Sequence, residues 1–250
     1  MSTSELLPFF SERFEEIEEY IDFLGEIERS AQSGVPRISD SSHAITASQQ
    51  KILYSSVYLQ LYNLVEATVS RCLSALSLAT HADGRWRPEH LNSSLQREWI
   101  RVMARTHLGL SPENRLSQAV EMCNHLINGL PIDSFEIEIG GGGNWDDEAI
   151  DKIGKRIGCQ LVIRPDVQAV VKRPLRDDLG ALKLVKNRRN NLAHGAISFV
   201  ECADGIGVAE LRITVDAVGT YLKEVINCFV SHIESFDFLK PEHRPKEVAQ

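Results

Sequence analysis

Ten residues in the C-terminal third of the chain, Lys186 to Gly195 (KNRRNNLAHG), contain the side chains best suited to act on a phosphate. Arg189 offers a planar guanidinium that stays charged and can bind two phosphate oxygens at once. His194 belongs to the residue type that exchanges a proton near neutral pH, so it can serve as a general acid or base. A fixed cation close to a proton shuttle is suited to cleaving a phosphodiester. This stretch is therefore the candidate catalytic site.

The stretch ends a predicted helix over about 175–194, which Pro174 opens and Gly195 ends. The apolar stripe of this helix contains Leu175, Leu179, Leu182, Val185, Leu192 and Ala196. Arg189 falls in the middle of that stripe at 100° per residue. Because burying an unpaired guanidinium is costly, Arg189 must either pair with a buried carboxylate or point into a cleft or an interface. Glu66 is the candidate carboxylate.

His194 lies five residues after Arg189, which places the two about 140° apart around an ideal helix and ~7.5 Å apart along it. They would not share one helix face. The helix should end at His194, however, and an arginine side chain is long enough to lean toward that end. Both side chains can then reach one phosphate, and the helix C-terminus favours a protonated imidazolium.

The rest of the chain predicts a mainly helical, single-domain protein over residues 1–250. An acidic helix lies within residues 1–30, and further helices are predicted at about 48–78, 89–108, 112–128, 146–157 and 215–237. Short strands near 135–139 and 160–164 predict a small α/β insertion over about 134–172. Alternation and an Asp-Gly pair predict a hairpin at 197–212. The expected fold is a helical bundle with these two additions.

Charge is distributed unevenly along the chain, whose net charge is −8. Residues 1–30 contain nine acidic and two basic residues, a net −7. Residues 172–189 contain seven basic and two acidic residues, a net +5. The overall acidity argues against a general nucleic-acid binder. The basic segment is either a solvated helix face or a phosphate-binding surface next to Arg189.

Four consecutive glycines, Gly140 to Gly143, precede the predicted helix at 146–157. They lack the Lys-Ser/Thr of a phosphate-binding P-loop and the spacing of a dinucleotide fingerprint. The acidic residues that follow, Asp146 to Glu148, would repel a phosphate at that helix end. A flexible connection capped by Asn144 is favoured over a nucleotide-binding loop.

The five cysteines are widely spaced and form no C-x-x-C pair, so neither a disulfide framework nor a zinc site is indicated. The N-terminus has no signal-peptide pattern, and no run of about 18 apolar residues occurs. These features predict reduced cysteines in a cytoplasmic protein, without membrane association and without a metal or other cofactor.

Arg189-Asn190-x-x-x-His194 at a helix end resembles the R-x4-H motif of the HEPN superfamily, in particular its MAE-type bacterial branch. The flanking residues extend the resemblance over roughly residues 48–236. The segments that carry it are QLYNLVEATV (Gln60–Val69), GNWDDEAIDKI (Gly143–Ile153), LVKNRRNNLAHGAISFVE (Leu184–Glu201) and LRITVDAVGTYLKEVI (Leu211–Ile226).

The resemblance implies a metal-independent endoribonuclease of the toxin–antitoxin or antiviral-defence type. His194 would act as base or acid, Arg189 would stabilise the phosphate, and Asn190 would orient His194 or the scissile group. Two protomers, a homodimer or a heterodimer with a related HEPN subunit, would join their motifs into one cleft. A cognate antitoxin or defence partner is also implied.

Five further residues complete the candidate site. The side chains expected to bind the RNA substrate are Lys186, Arg188 and Asn191, with Asn63 and Glu66 in support. The alternative function is a non-catalytic HEPN module that binds a partner protein or a nucleotide, in which Arg189 is a buried ion-pair residue and His194 a capping residue.

Overall fold

The computed structural model describes residues 2–38, 43–106, 108–139 and 144–245, and most of these residues are helical. The helices are α1 (Leu6–Ser33), α2 (Ala47–His81), α3 (Ser93–Met103), α4 (Pro112–Ile127), α5 (Asp147–Ile157), α6 (Pro165–Lys172), α7 (Ala181–Ala193), α8 (Phe199–Cys202) and α9 (Val208–Glu234). Short 3-10 turns lie at Thr3–Glu5, Pro88–His90 and Pro241–His243. The prediction of a mainly helical protein is confirmed.

Helix α1 runs antiparallel to α2. Near the middle of α1, the Tyr20 hydroxyl donates to the Leu53 carbonyl at 3.1 Å, close to the start of α2. Near the start of α1, the Phe9 ring lies 3.6 Å from the Arg71 guanidinium, close to the end of α2. The contacts therefore run in opposite directions along the two helices.

Helix α1 is also antiparallel to α9. The Thr3 hydroxyl, just before α1, donates to Glu234 at the end of α9 at 3.1 Å. At the other end, the Val208 amide at the start of α9 donates to Glu28 at 3.1 Å. Helices α2 and α9 thus run parallel to each other, and all three long helices pack in mutual contact.

The apolar periodicity of α1 is confirmed by burial. The side chains that face α2 and α9 are Phe10, Phe14, Ile17, Ile21 and Leu24, all of them buried. The acidic residues between them stay on the outer face, so the net −7 of residues 1–30 is largely solvated.

Gly219 allows α1 and α9 to approach closely. A Cβ atom at this position would lie 2.3 Å from Cε2 of Phe14, which is far inside van der Waals contact. Phe14 in turn stacks on Phe10 with ring centroids 5.5 Å apart. The glycine therefore makes room for an aromatic pair of the core.

The candidate motif helix begins later than the sequence predicted. Helix α7 starts at Ala181 instead of about residue 175, with Gly180 as its N-cap. Asp177 and Asp178 have positive φ of 52° and 56°, so the backbone before Gly180 forms a turn and cannot continue a helix. The predicted end of the helix is confirmed, since α7 stops at Ala193.

The predicted strands at 135–139 and 160–164 are wrong, because neither segment belongs to a strand in the described structure. The alternation that suggested the first one is real: Phe135 and Ile137 are buried and Glu136 is exposed. The extended chain lies on the surface of α2, where the Ile137 amide donates to the Ser77 hydroxyl at 3.2 Å. The insertion over 134–172 therefore consists of α5, α6 and extended segments.

The predicted hairpin at 197–212 is also wrong. The chain there forms α8, a turn at Asp204-Gly205 and the start of α9. Ser198 and Glu201 form a reciprocal capping box at the start of α8, an S-x-x-E pattern that the alternation obscured. An Asp-Gly turn connects two helices as readily as it connects two strands.

Candidate functional site

The C-terminus of α7 fixes the backbone of His194. The Ala196 amide donates to the Asn191 carbonyl at 2.8 Å, and the Gly195 amide donates to the Leu192 carbonyl at 3.2 Å. Gly195 has φ of 67°, so these bonds form the glycine-terminated Schellman motif that the sequence indicated. His194 is the C-cap residue and is exposed, which leaves its imidazole open to a ligand.

Arg189 lies against an aromatic ring instead of pairing with a carboxylate. Its guanidinium carbon is 4.3 Å from the centroid of the Tyr62 ring, and its Nη1 donates to the Asn190 Oδ1 at 2.9 Å. Of the two alternatives, the ion pair with Glu66 is not formed: within the described part of the chain, Arg189 forms no salt bridge within 4.0 Å. The Tyr62 ring covers one face of the guanidinium without neutralising its charge.

Asn190 orients this arginine. Its Oδ1 accepts from Arg189, and its Nδ2 donates to the Asn144 Oδ1 at 3.0 Å. The side chain expected to orient His194 or the scissile group is thus bound to Arg189 and to the segment before α5. Asn190 reaches His194 through its backbone, since the His194 amide donates to the Asn190 carbonyl at 3.0 Å.

The start of α5 docks along α7 through polar contacts at successive turns. Lys183 pairs with Glu148 at 2.5 Å, Lys186 pairs with the buried Asp146, and Asn190 binds Asn144. These three contacts form what we call the α5–α7 ladder.

Tyr62 connects this ladder to α2. Its hydroxyl accepts a hydrogen bond from the Trp145 amide at 3.3 Å, while its ring supports Arg189. Burial raises the pKa of the Tyr62 phenol, and the hydrogen bond from Trp145 opposes that shift. The tyrosine therefore stays neutral, as a ring platform for the cation requires.

Asp147 lies between the ladder residues Asp146 and Glu148 at the start of α5, and its side chain is buried. Burial raises the pKa of its carboxyl, and the neighbouring charge of Asp146 raises it further. Asp146, rather than the expected Asn144, is the N-cap residue, and its carboxylate accepts from the Ala149 amide at 2.8 Å. The glycines at 140–143 lie outside the described residues.

The side chains expected to bind RNA all have partners within the protein: these are Lys186, Arg188 and Asn191. Lys186 lies on the Arg189 side of α7 but is paired with Asp146, and the Asn191 side-chain Nδ2 donates to the Asn187 Oδ1 at 3.1 Å. Arg188 turns toward the loop before α7, where it pairs with Asp177 at 2.6 Å and is only 13% exposed. A substrate contact by Arg188 does not fit these surroundings.

The two supporting residues lie on α2. Asn63 is exposed and lines a groove between α1 and α2 with Arg13 and Arg71, while Glu66 lies one turn from Tyr62. The negative charge of Glu66 raises the pKa of Tyr62, whereas the positive charges of Arg189 and Lys186 lower it.

Sequence reasoning missed Tyr62, Asn144 and Asp146 as members of the site. Tyr62 and Asn144 stand within segments that resemble the family, but nothing local assigns them to Arg189. Asp146 carries a local signal, because an aspartate before a helical pattern is a preferred N-cap. In the described residues, no group of three or more metal-ligating side chains is found.

Comparison with models of known protein families identifies the family of this chain. A model of the MAE_28990-like HEPN family matches residues 2–238. The chain belongs to this family. The match includes α1, so it extends beyond the residues 48–236 on which the resemblance was seen. No curated protein and no solved structure matches this HEPN chain. Among its described helices, none is long and apolar enough to cross a membrane.

Proposed function

We propose that this HEPN protein is a metal-independent endoribonuclease whose catalytic side chains are Arg189 and His194. One observation carries the proposal: the Arg189 guanidinium is held on the Tyr62 ring and by Asn190, with its charge left uncompensated, five residues before an exposed histidine at the end of the same helix. A positioned, un-neutralised cation is suited to stabilising charge that develops on a phosphate.

The reaction would use the ribose 2′-hydroxyl as its nucleophile. Neutral His194 takes the proton of the 2′-hydroxyl, the 2′-oxygen attacks phosphorus, and the bond from phosphorus to the 5′-oxygen breaks. A protonated imidazole then donates its proton to the leaving 5′-oxygen. The products are a 2′,3′-cyclic phosphate and a 5′-hydroxyl, and DNA is not cut because it lacks the nucleophile.

Two protomers would supply the acid and the base. One His194 cannot be both neutral and protonated in the same step, whereas two copies facing one phosphate can be. HEPN domains commonly dimerise, which agrees with a homodimer or a heterodimer with a related subunit. A toxin–antitoxin or antiviral-defence role, with a cognate partner that restrains the enzyme, follows from the family alone.

A second function, a non-catalytic binding module, is favoured by a different observation. The basic residues Lys183, Lys186 and Arg188 are all paired with acidic side chains, and the whole chain carries a net charge of −8. Few cations near Arg189 are therefore free to bind an RNA backbone, which depends on such contacts for affinity.

Cleavage of labelled single-stranded RNA in EDTA distinguishes the two functions. We expect wild-type cleavage to a cyclic phosphate and no cleavage of the all-deoxy oligonucleotide. His194→Ala should lower the rate by about 10²–10⁴-fold, since positioned acid–base groups contribute that much. Arg189→Lys should also fail, because an ammonium does not reproduce bidentate phosphate contact.

His81→Ala is the matched control, because His81 also lies at a helix end, in α2. It should cut like the wild type, and circular dichroism should show all variants folded. If His194→Ala cuts RNA as fast as the wild type, the catalytic proposal is wrong. If RNA binds and is never cut, the binding module is favoured.

A further inference from the structure

Helix α4 is the part of the described chain in which apolar side chains are most concentrated at the surface. Six of the seventeen exposed large hydrophobic residues among the described residues lie between 108 and 130. None of the residues of α4 is buried. Contiguous apolar surface of this kind marks a surface that another molecule covers.

Helix α4 has two apolar faces, of which the body of the protein covers only one. Met122 packs against the core, and the His125 ring lies 5.3 Å from the Trp99 ring of α3. At 100° per residue, the opposite face holds what we call the α4 stripe: Leu116, Val120, Cys123 and Ile127. All four are exposed, with Leu116 60%, Val120 50% and Ile127 80% exposed.

The spacing within the α4 stripe is that of a helix–helix seam. Its residues follow one another at intervals of four, three and four, the alternation that lets two helices interlock their side chains. The flanking positions on either side of the seam, Ser117, Ala119, Asn124 and Leu126, carry no charge. Charges at such positions set partner choice, and like charges there would repel a second copy, so their absence permits self-pairing.

The order of these intervals is the same in both directions along the helix. In an antiparallel pair about a twofold axis, Leu116 therefore lies opposite Ile127 of the second copy. Val120 lies opposite Cys123 of the second copy. Every apolar residue of the stripe meets an apolar residue, which is the self-complementarity that a twofold interface needs. The opposed helix dipoles favour the antiparallel direction.

Electrostatics permits this contact although the chain is acidic. Helix α4 contains Glu113, Glu121 and Arg115, a net −1, whereas residues 1–30 carry a net −7. Two copies that meet through α4 thus keep their most acidic segments out of the seam. Because one short helix per copy forms the seam, the association belongs with small, readily reversible interfaces.

We infer that α4 pairs with α4 of a second copy of this chain, antiparallel, through the α4 stripe. This surface shares no residue with the Arg189 group, so the inference stands apart from the ribonuclease proposal. Its test is a cross-link at Cys123 in the absence of RNA, which reports on the α4 contact and not on a pairing of the two Arg189 groups.

Cross-linking through Cys123 tests the pairing. In the antiparallel register, the two Cys123 residues are offset by three residues, ~4.5 Å along the axis, on facing helix surfaces. A short bismaleimide should join them into a species of twice 28.0 kDa. Cys123→Ser should abolish that species, since Cys72, Cys159 and Cys202 are buried and Cys228 is only partly exposed. Leu116→Cys in the Cys123→Ser background should not cross-link, because antiparallel pairing separates the two copies of that position.

Charge substitution provides the second measurement. Val120→Lys combined with Ile127→Lys places four cations in the seam of the pair. The Cys123 cross-link should then be lost, while Asn114→Lys, on an exposed part of α4 outside the stripe, should cross-link like the wild type. The inference is overturned if the wild type forms no Cys123 cross-link, or if the double lysine variant cross-links like the wild type.

Discussion

Arg189 shows how one residue can be held firmly without being neutralised. Its guanidinium lies 4.3 Å from the Tyr62 ring centroid and donates to the Asn190 amide oxygen. A carboxylate partner would hold the side chain equally well but would cancel the charge that a phosphate needs. The neutral partners therefore hold the cation in place and leave its charge available to a phosphate, as preorganised catalytic sites require.

A double-mutant cycle measures the strength of this stacking. Tyr62→Leu and Arg189→Met, alone and together, should reveal a coupling of about 1 kcal/mol, and up to about 2 if the contact is well desolvated. The measurement is urea unfolding of the four proteins. Arg212→Met is the control partner for Tyr62→Leu, because Arg212 pairs with Asp22 in α1 and should show no coupling. Additive losses for Tyr62 and Arg189 would show that the ring does not hold the guanidinium.

Local signals explain which site residues could be read from the sequence. Arg189 and His194 belong to one short motif, and Gly195 marks the helix end that separates them from the next segment. Asn144 and Tyr62 reach the same place from distant parts of the chain; Asn144 lies 46 residues from its partner Asn190. Such contacts depend on how helices pack, and a local sequence pattern does not show which distant side chains meet.

At the scale of helices, the packing of α1 on α9 depends on the missing side chain of Gly219. We predict that Gly219→Ala destabilises the protein by about 1–3 kcal/mol, because the new methyl group overlaps the Phe14 ring. Gly25→Ala in α1 is the matched control, since its nearest neighbour would be 4.0 Å away. That change should stabilise by about 0.5–1 kcal/mol through helix propensity. Urea unfolding distinguishes the two, and equal effects would contradict the close approach of the helices.

The start of α5 should make stability depend on pH through Asp147. Because burial raises the pKa of this carboxyl in the folded state, folding favours its protonated form, and ionisation lowers the free energy of unfolding as pH rises. Asp147→Asn should therefore stabilise the protein at pH 7. The gain should disappear below about pH 4, near the ordinary pKa of aspartate, where the wild-type group is protonated in both states.

Thermal unfolding between acid and neutral pH checks this expectation. Asp151→Asn, one turn further along α5, is the control, because the Asp151 side chain is about half exposed and pairs with Lys155 at 2.6 Å. It should lose only about 0.3–0.5 kcal/mol, with no gain at neutral pH. A gain for Asp147→Asn that persists at low pH would show that the carboxyl charge is not its cause.

Helix positions were predictable where the sequence pattern is strong and local. The apolar periodicity gave α1, α2 and α9 within a few residues at most ends, and the helix predicted at about 112–128 is α4, Pro112–Ile127. The errors arose where one pattern fits two structures. Alternation at 135–139 indicates burial of every second residue, which a helix surface provides as well as a neighbouring strand does. Asp177 and Asp178 form the turn before α7 through positive φ angles, which the residue types alone do not predict.

At the scale of the whole molecule, mixing inactive subunits tests whether two protomers build one cleft. His194→Ala and Arg189→Ala should each be inactive alone. After subunit exchange, the heterodimer still brings one His194 and one Arg189 to a shared phosphate. One of the two proton transfers is then catalysed, so RNA cleavage should recover partly. Independent sites would give no recovery, because each protomer would lack one of the two groups. Two differently tagged subunits are used to measure subunit exchange. A mixture of wild type and His194→Ala is the reference for the recovered cleavage rate.

The groups that touch the Arg189 guanidinium, a phenol ring and a side-chain amide, do not ionise in mild conditions. Burial raises the pKa of Tyr62 above its ordinary value of 10.0, and amides have no titration in this range. The surroundings of the guanidinium thus keep the same charge in both mildly acidic and mildly alkaline solution. The support that holds Arg189 toward a phosphate therefore does not depend on acidity over this range.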